Sequence, residues 1–253
     1  MTNIDMSITD KSTDLVAQYG DRLRLIEQPL PVELHFEFKA GCHAYAIEVA
    51  EMDEEERTEL LKQASERLFC SEDFQEKKDY ITKLALLGDP KAHTLLRRFH
   101  ETNDPELGDW CALAVLRSQL HLTEEFDGED LVYVATGLGG KDNLMRESMV
   151  LLSDTAEVFT QAQKGQIEKE CRYQLQQMGG KVETIEVEDR YALLSILVPL
   201  SLDVHVMVHT LLNAINEFEP LVWCPGTIDN REFFTKQDCL DLLEDFSDTE
   251  PDF

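Results

Sequence analysis

A glycine-rich segment near the middle of the chain has residue types that can bind an anion. An apolar run at residues 131–135, which predicts a strand, is followed by Gly137, Gly139, Gly140 and Lys141. In phosphate-binding loops, backbone N–H groups of such a turn surround the anion and the lysine adds a positive charge. Asp142 stands where a Mg²⁺-binding hydroxyl is needed, and the residues after it predict a strand. We therefore expect a small anion or a partner's carboxylate here, or alternatively a hairpin whose glycines adopt positive φ.

Two histidines share one face of a predicted helix. His205 and His209 are four residues apart, so their imidazoles can chelate one zinc ion together. Val206 stands where the metalloprotease signature has glutamate, and the sequence identifies no third or fourth ligand. The alternative is a pair of partly exposed histidines on the polar side of the helix, with some pH sensitivity.

Other patterns typical of catalytic centres are missing from the sequence. It contains no Gly-x-Ser-x-Gly elbow, and no cysteine lies in a recognisable nucleophile context. Arg97 and Arg98, followed by Phe99 and His100, form a rare basic spot that either contacts an anion or pairs with neighbouring acids. The sequence therefore predicts a non-catalytic protein and indicates no cofactor.

The charge of the chain restricts its partners. Its 253 residues include 51 acidic and 23 basic ones, for a formal net charge of −28. Such a field repels the backbone of nucleic acids and anionic membrane surfaces, so we expect neither as a partner and favour a basic protein. The alternative is that the charge serves only solubility.

The cysteines and the apolar stretches predict a reduced, cytoplasmic protein. Six cysteines are scattered among predicted helices and strands without a CxxC pair, as buried thiols usually are. The first 15 residues are polar and lack the apolar region of a secretory signal. The longest apolar stretch, residues 191–202, is interrupted by Ser195, Pro199 and Ser201 and is too short to cross a bilayer.

The elements that would position these residues begin with an ambiguous region. Residues 1–28 are polar and predict a flexible arm or a loosely docked segment. Residues 32–49 alternate like a strand as far as Gly41 and then become helical in pattern. From Asp53 onward, apolar residues at helical spacing and clear start signals predict a helical domain over residues 29–126.

Part of this domain contains the same helix-start signal, an Asp-Pro pair, twice. The run LALLGDPKAHTLLRRF, followed by NDPELGDWCALAVL, contains two Asp-Pro pairs fifteen residues apart. Over residues 80–122 it resembles HEAT-type helical repeats. The resemblance implies antiparallel helix pairs and a scaffold for protein interactions. An ordinary bundle of helical hairpins is the alternative.

The second half of the chain predicts a mixed domain over residues 131–228. From residue 144 the order is strand, helix, strand, strand, helix, strand, which is typical of ferredoxin-like domains, and residues 131–135 add a strand. A capping box begun by Ser153 predicts the first helix over residues 154–178, and Asp203 caps the second, which extends to about residue 218. Both helices are expected on one face of the sheet, leaving the other face free for a partner.

The last segment, residues 229–253, is acidic and amphipathic. Leu240, Leu243 and Phe246 predict a short helix that docks in a partner's groove, or alternatively folds back on this protein's own surface.

The expected fold class is therefore α+β, with an N-terminal antiparallel HEAT-like bundle followed by a ferredoxin-like βαββαβ domain. We expect an interaction or regulatory protein that binds a protein partner through the open sheet face or the helical concavity. The alternative is a regulatory domain that senses a small molecule or anion through the loop at residues 137–141. A homodimer is compatible with either function.

Overall fold

The computed structural model describes residues 12–127, 132–155, 157–225 and 227–247. The secondary structure mixes helices and strands, so the α+β class is confirmed. The chain divides into two compact units. One comprises residues 30–131 and is called the helical unit; the other joins residues 1–29 to residues 132–253 and is called the sheet unit. Within the described residues, no helix combines the length and the apolar character needed to cross a membrane.

The described chain starts with helix α1 (Ser12–Tyr19), a 3₁₀ turn (Gly20–Arg22) and strand β1 (Leu23–Leu25). Leu23 and Leu25 are buried in the core of the sheet unit. The expectation of a flexible arm over residues 1–28 is therefore wrong for residues 23–25, because apolar side chains alternate there and their strand pairs with the sheet unit's own chain. Residues 1–11 of that arm lie outside the described residues.

The described part of the helical unit contains α2 (Val32–Glu51), α3 (Glu54–Cys70), α4 (Phe74–Leu86), α5 (Pro90–His100) and α6 (Gly108–Asp127). Three of these helices begin at an aspartate whose carboxylate accepts hydrogen bonds from free N–H groups of the first turn: Asp53, Asp73 and Asp89. Gly88, at φ +65°, separates α4 from α5. Helix boundaries in this unit thus follow from local capping chemistry.

Helix α2 corrects the predicted strand at residues 32–38. The alternating residues there do not face one side of a sheet; Phe38, Cys42 and Val49 turn inward at helical spacing, while Phe36 is 47% exposed. The helix continues through Gly41, where an added Cβ would lie 3.3 Å from the ring of Trp110. A missing side chain at this point therefore lets α2 approach α6 closely.

The core of the helical unit surrounds Trp110. Its ring packs edge-on against Phe38, with centroids 5.1 Å apart, and its indole N–H donates to the Thr82 hydroxyl at 3.1 Å. That bond satisfies the polar atoms of two buried side chains. Leu68, Ile81, Leu84 and Leu96 are fully buried in the same core.

The sheet unit continues with strands β2 (Val132–Val134), β3 (Gly140–Lys141) and β4 (Leu144–Ser153), helix α7 (Gln161–Gln177), strands β5 (Lys181–Val187) and β6 (Tyr191–Pro199), helix α8 (Val204–Ile215), strands β7 (Val222–Trp223) and β8 (Ile228–Asp229), and helix α9 (Lys236–Ser247). Strand β4 pairs antiparallel with β6 along one edge, and β6 pairs antiparallel with β5. Along its other edge β4 pairs antiparallel with β3, β8 and β7 in turn.

Three predicted elements of this unit need correction. The run at residues 131–135 does not extend the main sheet, because β2 pairs in parallel with β1 in a separate two-stranded sheet. Helix α7 begins after Thr160, not after Ser153, because Thr160 and Gln163 form the capping box. Helix α8 ends at Ile215, three residues before the predicted end, because the Asn216 side chain bonds the backbone of Leu221 and Val222.

The main sheet is covered on both faces. Alternate residues of β4 and β6, among them Met149 and Leu194, pack with α7 and α8 in the larger core. On the other face, Val150, Leu152 and Tyr191 pack with Cys239 of α9. The expectation of a free sheet face is therefore wrong over this part of the sheet, since the C-terminal helix occupies it.

Candidate functional site

The candidate site is a groove in the helical unit, lined by the end of α2, by α3 and by α4, with a volume of about 720 Å³. We call it the acidic groove. Its lining includes one ammonium group, that of Lys83, and six carboxylates: Glu48, Glu51, Glu56, Glu59, Glu76 and Asp79. Each helix contributes two of the acids, so the groove depends on the packing of α2 and α3 with α4.

Some of these carboxylates are held in place by local bonds. Glu56 accepts from the backbone N–H of Asp53 at 2.9 Å, completing the α3 capping box. Glu76 accepts from the Ser71 hydroxyl at 2.5 Å, and Asp79 accepts from the Gln75 amide at 2.7 Å. These bonds fix the three acids on the groove wall, and Glu76 also lies 3.6 Å from the Arg67 guanidinium.

Other carboxylates remain accessible to a ligand. The side chains of Glu48 and Glu59 are 48% and 53% exposed. Glu51 has no ion-pair partner among the described residues. Glu48, Glu59 and Glu76 each lie within 4.0 Å of a cation, namely Lys83, Lys62 and Arg67, so six acids against three cations leave the groove with an excess of negative charge.

The floor of the groove is less polar than its rim. Leu60 is buried, while Met52 and Tyr80 are half-buried. The Tyr80 hydroxyl donates to Gln63 at 3.2 Å, which leaves the ring as part of the lining. Lysine and arginine side chains combine an apolar stem with a cationic head, so an apolar floor beside carboxylates matches both parts.

Lys83 shows this chemistry within the chain itself. Its ammonium lies 2.6 Å from Glu48 and 4.7 Å from the centre of the Tyr45 ring. The pKa of the Tyr45 hydroxyl is raised, first by burial and then by a hydrogen bond to Asp79 and the charges of Asp79 and Glu48. The groove thus already binds one cation, the Lys83 ammonium, between a carboxylate and an aromatic ring.

The groove does not have the arrangement of a metal centre. Across the residues that the structure describes, no group of three or more His, Cys, Asp or Glu side chains could hold a metal ion. The acids of the groove are spread along its length, which suits a ligand with several positive charges.

The glycine-rich loop of the sheet unit uses its backbone donors internally. The N–H groups of Leu138, Gly139 and Gly140 donate to the carbonyls of Asn230, Thr136 and Glu27 at 2.9, 3.2 and 3.0 Å. The expected anion cradle of Gly137, Gly139, Gly140 and Lys141 is therefore not formed by these donors. The glycines instead allow close backbone packing, because an added Cβ on Gly137 would meet the Arg231 carbonyl at 1.9 Å.

The loop resembles the hairpin that the sequence left as an alternative. Asp142 and Asn143, at φ +54° and +60°, form the tight turn between β3 and β4. Positive φ falls on these two residues as well as on Gly139. Lys141 is exposed on the short strand before the turn.

The two histidines lie on α8 as expected, but the structure adds no ligand to them. His205 and His209 are both exposed on the same helix. The backbone N–H of His205 donates to the α8 N-cap, Asp203, at 2.8 Å. No third candidate ligand accompanies them among the described residues, so the geometry favours two solvated imidazoles.

Helix α9 docks on its own sheet, which is the alternative that the sequence left open. Leu243 packs partly into the cluster around Cys239, and Lys236 lies 3.0 Å from Glu186 and 3.1 Å from Glu188. Leu240 is 45% exposed. The Phe246 side chain and residues 248–253 lie outside the described part of the chain.

The sequence did not lead us to predict a role for two charged residues of β4, Glu147 and Arg146. Glu147 is 2% exposed on the face that carries Met145 and Met149, and Asn230 donates to it at 3.4 Å. Burial raises the pKa of Glu147 to about 8, against a lowering by the Asn230 bond. The signal was present in the sequence, since this acid interrupts an apolar strand.

Its neighbour Arg146 points to the opposite face of the sheet. Its guanidinium binds both carboxylate oxygens of Glu183 and donates to the Leu138 carbonyl at 2.7 Å. Hydrogen bonding to Arg146 lowers the pKa of Glu183, against a raising effect of burial. The pair anchors the glycine-rich loop to β5.

Comparison with known proteins adds no relative: no protein-family model matches the chain, and no curated protein is significantly similar to it.

Proposed function

We propose that this is a non-catalytic interaction protein whose acidic groove binds a basic segment of a partner protein. The proposal rests on a groove of about 720 Å³ whose lining contains six carboxylates and one lysine; even with Lys62 and Arg67, which pair with two of these acids, negative charge remains in excess. Basic peptides complement both the negative rim and the apolar floor. The net charge of −28 adds long-range attraction for such a partner.

The architecture supports the same proposal. We propose that the helical unit is a HEAT-like array, and the two Asp-Pro helix starts before and after α5 support this assignment. We further propose a ferredoxin-like sheet unit, supported by antiparallel neighbours in the order β7, β4, β6, β5. Arrays of helix pairs commonly serve as binding scaffolds, and the groove lies in that unit.

A calorimetric titration tests the proposal. The probe is a 12-residue peptide of alternating lysine and leucine, titrated into the full chain at about 50 and 300 mM salt. We expect saturable binding at low salt that weakens strongly at high salt, because exposed charge pairs are screened beyond a Debye length of roughly 10 Å at 0.1 M.

Charge reversal in the groove identifies the binding surface. Glu51→Lys combined with Glu59→Lys is expected to weaken the peptide about tenfold or more, since roughly 1.4 kcal/mol corresponds to a factor of ten. The matched control, Glu217→Lys with Glu232→Lys, makes the same charge change at exposed positions of the sheet unit. Equal weakening by both pairs would show that only the net charge matters and would refute a groove-specific site.

A further inference from the structure

A second surface of the helical unit has the opposite charge. Helix α5, with the sequence PKAHTLLRRFH, contains no acidic residue, although acids outnumber bases 51 to 23 in the chain. Lys91, Arg97 and Arg98 are exposed on it, while Ala92, Leu96 and Phe99 form its buried face. A concentration of positive charge in so acidic a protein requires an explanation.

These cations are not used for ion pairs within the described part of the chain. Neither Lys91 nor Arg97 nor Arg98 lies within 4.0 Å of a described carboxylate. The acids that flank α5 in the sequence do not pair with it: Asp89 caps the helix, and Glu101, at its other end, forms no ion pair among the described residues. Surface arginines in an acidic chain usually pair with neighbouring acids. Arg97 and Arg98 do not do so among the described residues.

Aromatic rings accompany the cations. The Arg98 guanidinium lies 5.0 Å from the centre of the Phe69 ring, and Phe69 packs edge-on against Phe99 with centroids 5.8 Å apart. The Lys77 ammonium lies 6.0 Å from the centre of the Phe99 ring. Phe74, three residues before Lys77 on α4, shares its side of the helix. Phe69 and Phe74 each remain 38% exposed.

This combination fits a ligand with both carboxylates and apolar side chains. A guanidinium stacked on a ring keeps its N–H edge available for a bidentate bond to a carboxylate. Half-exposed rings beside it can bury an apolar side chain of the same ligand. The net charge of −28 repels every anionic ligand at long range, and it repels a nucleic acid, with one phosphate per nucleotide, more strongly than a peptide whose carboxylates are interspersed with apolar side chains.

We infer that the surface formed by Arg98, Lys91 and Lys77 with Phe69 and Phe74, with Arg97 beside it on α5, binds an acidic segment of a protein partner that also carries apolar side chains. We call it the α5 patch. It uses different side chains from the acidic groove and takes a ligand of the opposite charge, although Lys77 directly follows Glu76 of the groove lining on α4. The protein thus offers separate surfaces for a basic and an acidic segment.

Fluorescence anisotropy tests the inference with three labelled probes of 12 units: a peptide with six glutamates and two phenylalanines, the same peptide with glutamine in place of glutamate, and a single-stranded DNA. We expect the full chain to bind the acidic peptide at least tenfold more tightly than either of the others. Stronger binding of the glutamine peptide or the DNA, or no acidic-peptide binding at millimolar protein, overturns the inference.

Variants locate the site. Arg97→Glu with Arg98→Glu is expected to weaken the acidic peptide at least tenfold, and Lys91→Glu, a milder change on the same face, at least threefold. The control pair Lys169→Glu with Lys181→Glu changes the net charge equally at exposed positions of the sheet unit and is expected to weaken acidic-peptide binding less than twofold. The groove variant Glu51→Lys/Glu59→Lys is expected to keep acidic-peptide binding at wild-type strength or better. Equal loss in the control and the α5 variants, with melting temperatures unchanged, would overturn the assignment.

Discussion

Replacing Gly139 by alanine is expected to destabilise the sheet unit by roughly 2–4 kcal/mol. Gly139 has φ +62°, and its added Cβ would lie 2.3 Å from the Glu27 carbonyl and 2.8 Å from the Gln28 carbonyl carbon. Backbone atoms cannot rotate away as a flexible side chain can, so the loop or the segment after β1 must shift. Urea unfolding followed by circular dichroism measures the loss.

Gly165→Ala is the matched control. Gly165 lies within α7, and an added Cβ would meet nothing within 4 Å. The alanine should therefore stabilise the protein by roughly 0.5–1 kcal/mol, because glycine is a poor helix former. If Gly139→Ala were as stable as the wild type, the close packing of the loop would be refuted.

Glu147→Gln is expected to stabilise the protein near neutral pH by roughly 4 kcal/mol or less. The carboxyl is 2% exposed, and its pKa is raised from 4.5 to about 8 because burial disfavours the charged form. Glutamine is close in size to the protonated acid and carries no charge, so it avoids the cost of keeping a proton on a buried carboxyl.

The pH dependence of this effect has a definite sign. Below about pH 4.5 the carboxyl is protonated in both folded and unfolded chains, so it contributes no difference. Between about pH 4.5 and 8 only the unfolded chain releases the proton, and the free energy of unfolding falls as the pH rises. Above about pH 8 both states are ionised and the fall ends. The gap between Glu147→Gln and the wild type should therefore widen from pH 5 to pH 8.

Glu183→Gln provides a control for which the expected change in stability has the opposite sign. Glu183 lies on β5, which is separated from β4 by β6. The Arg146 guanidinium lowers the pKa of Glu183, so ionised Glu183 stabilises the folded chain. Its replacement should lower stability at neutral pH, and the difference should shrink as the pH falls through the lowered pKa. The measurement is the free energy of unfolding of the wild type, Glu147→Gln and Glu183→Gln at several pH values in this range. The same pH dependence in all three proteins would contradict the environments assigned to Glu147 and Glu183.

The sequence predicted best those features that depend on neighbouring residues. The caps at Asp53 and Asp203 were both expected, since an aspartate before a helical run bonds the first free N–H groups wherever the helix packs. The order of strands and helices from β4 to β7 was also predicted, because each element has its own periodicity.

Features that depend on distant contacts were missed. The strand-like alternation of residues 32–38 left this region ambiguous, because nothing local shows that Gly41 allows α2 to pack against Trp110. Thr160 was not predicted as the α7 cap because Ser153 also carries a hydroxyl that can cap a helix, and the local sequence does not distinguish the two. The acidic groove is assembled from three helices over residues 48–83, and in a chain with 51 acids no single carboxylate stands out.

Binding of a basic segment in the acidic groove can be observed residue by residue. Its most direct test is an amide chemical-shift map of the full chain titrated with the lysine–leucine peptide. We expect the largest shifts on residues 48–63 and 76–83, and we expect them to disappear in Glu51→Lys/Glu59→Lys. Saturable shifts confined to the sheet unit, or no shifts at millimolar peptide, would contradict it.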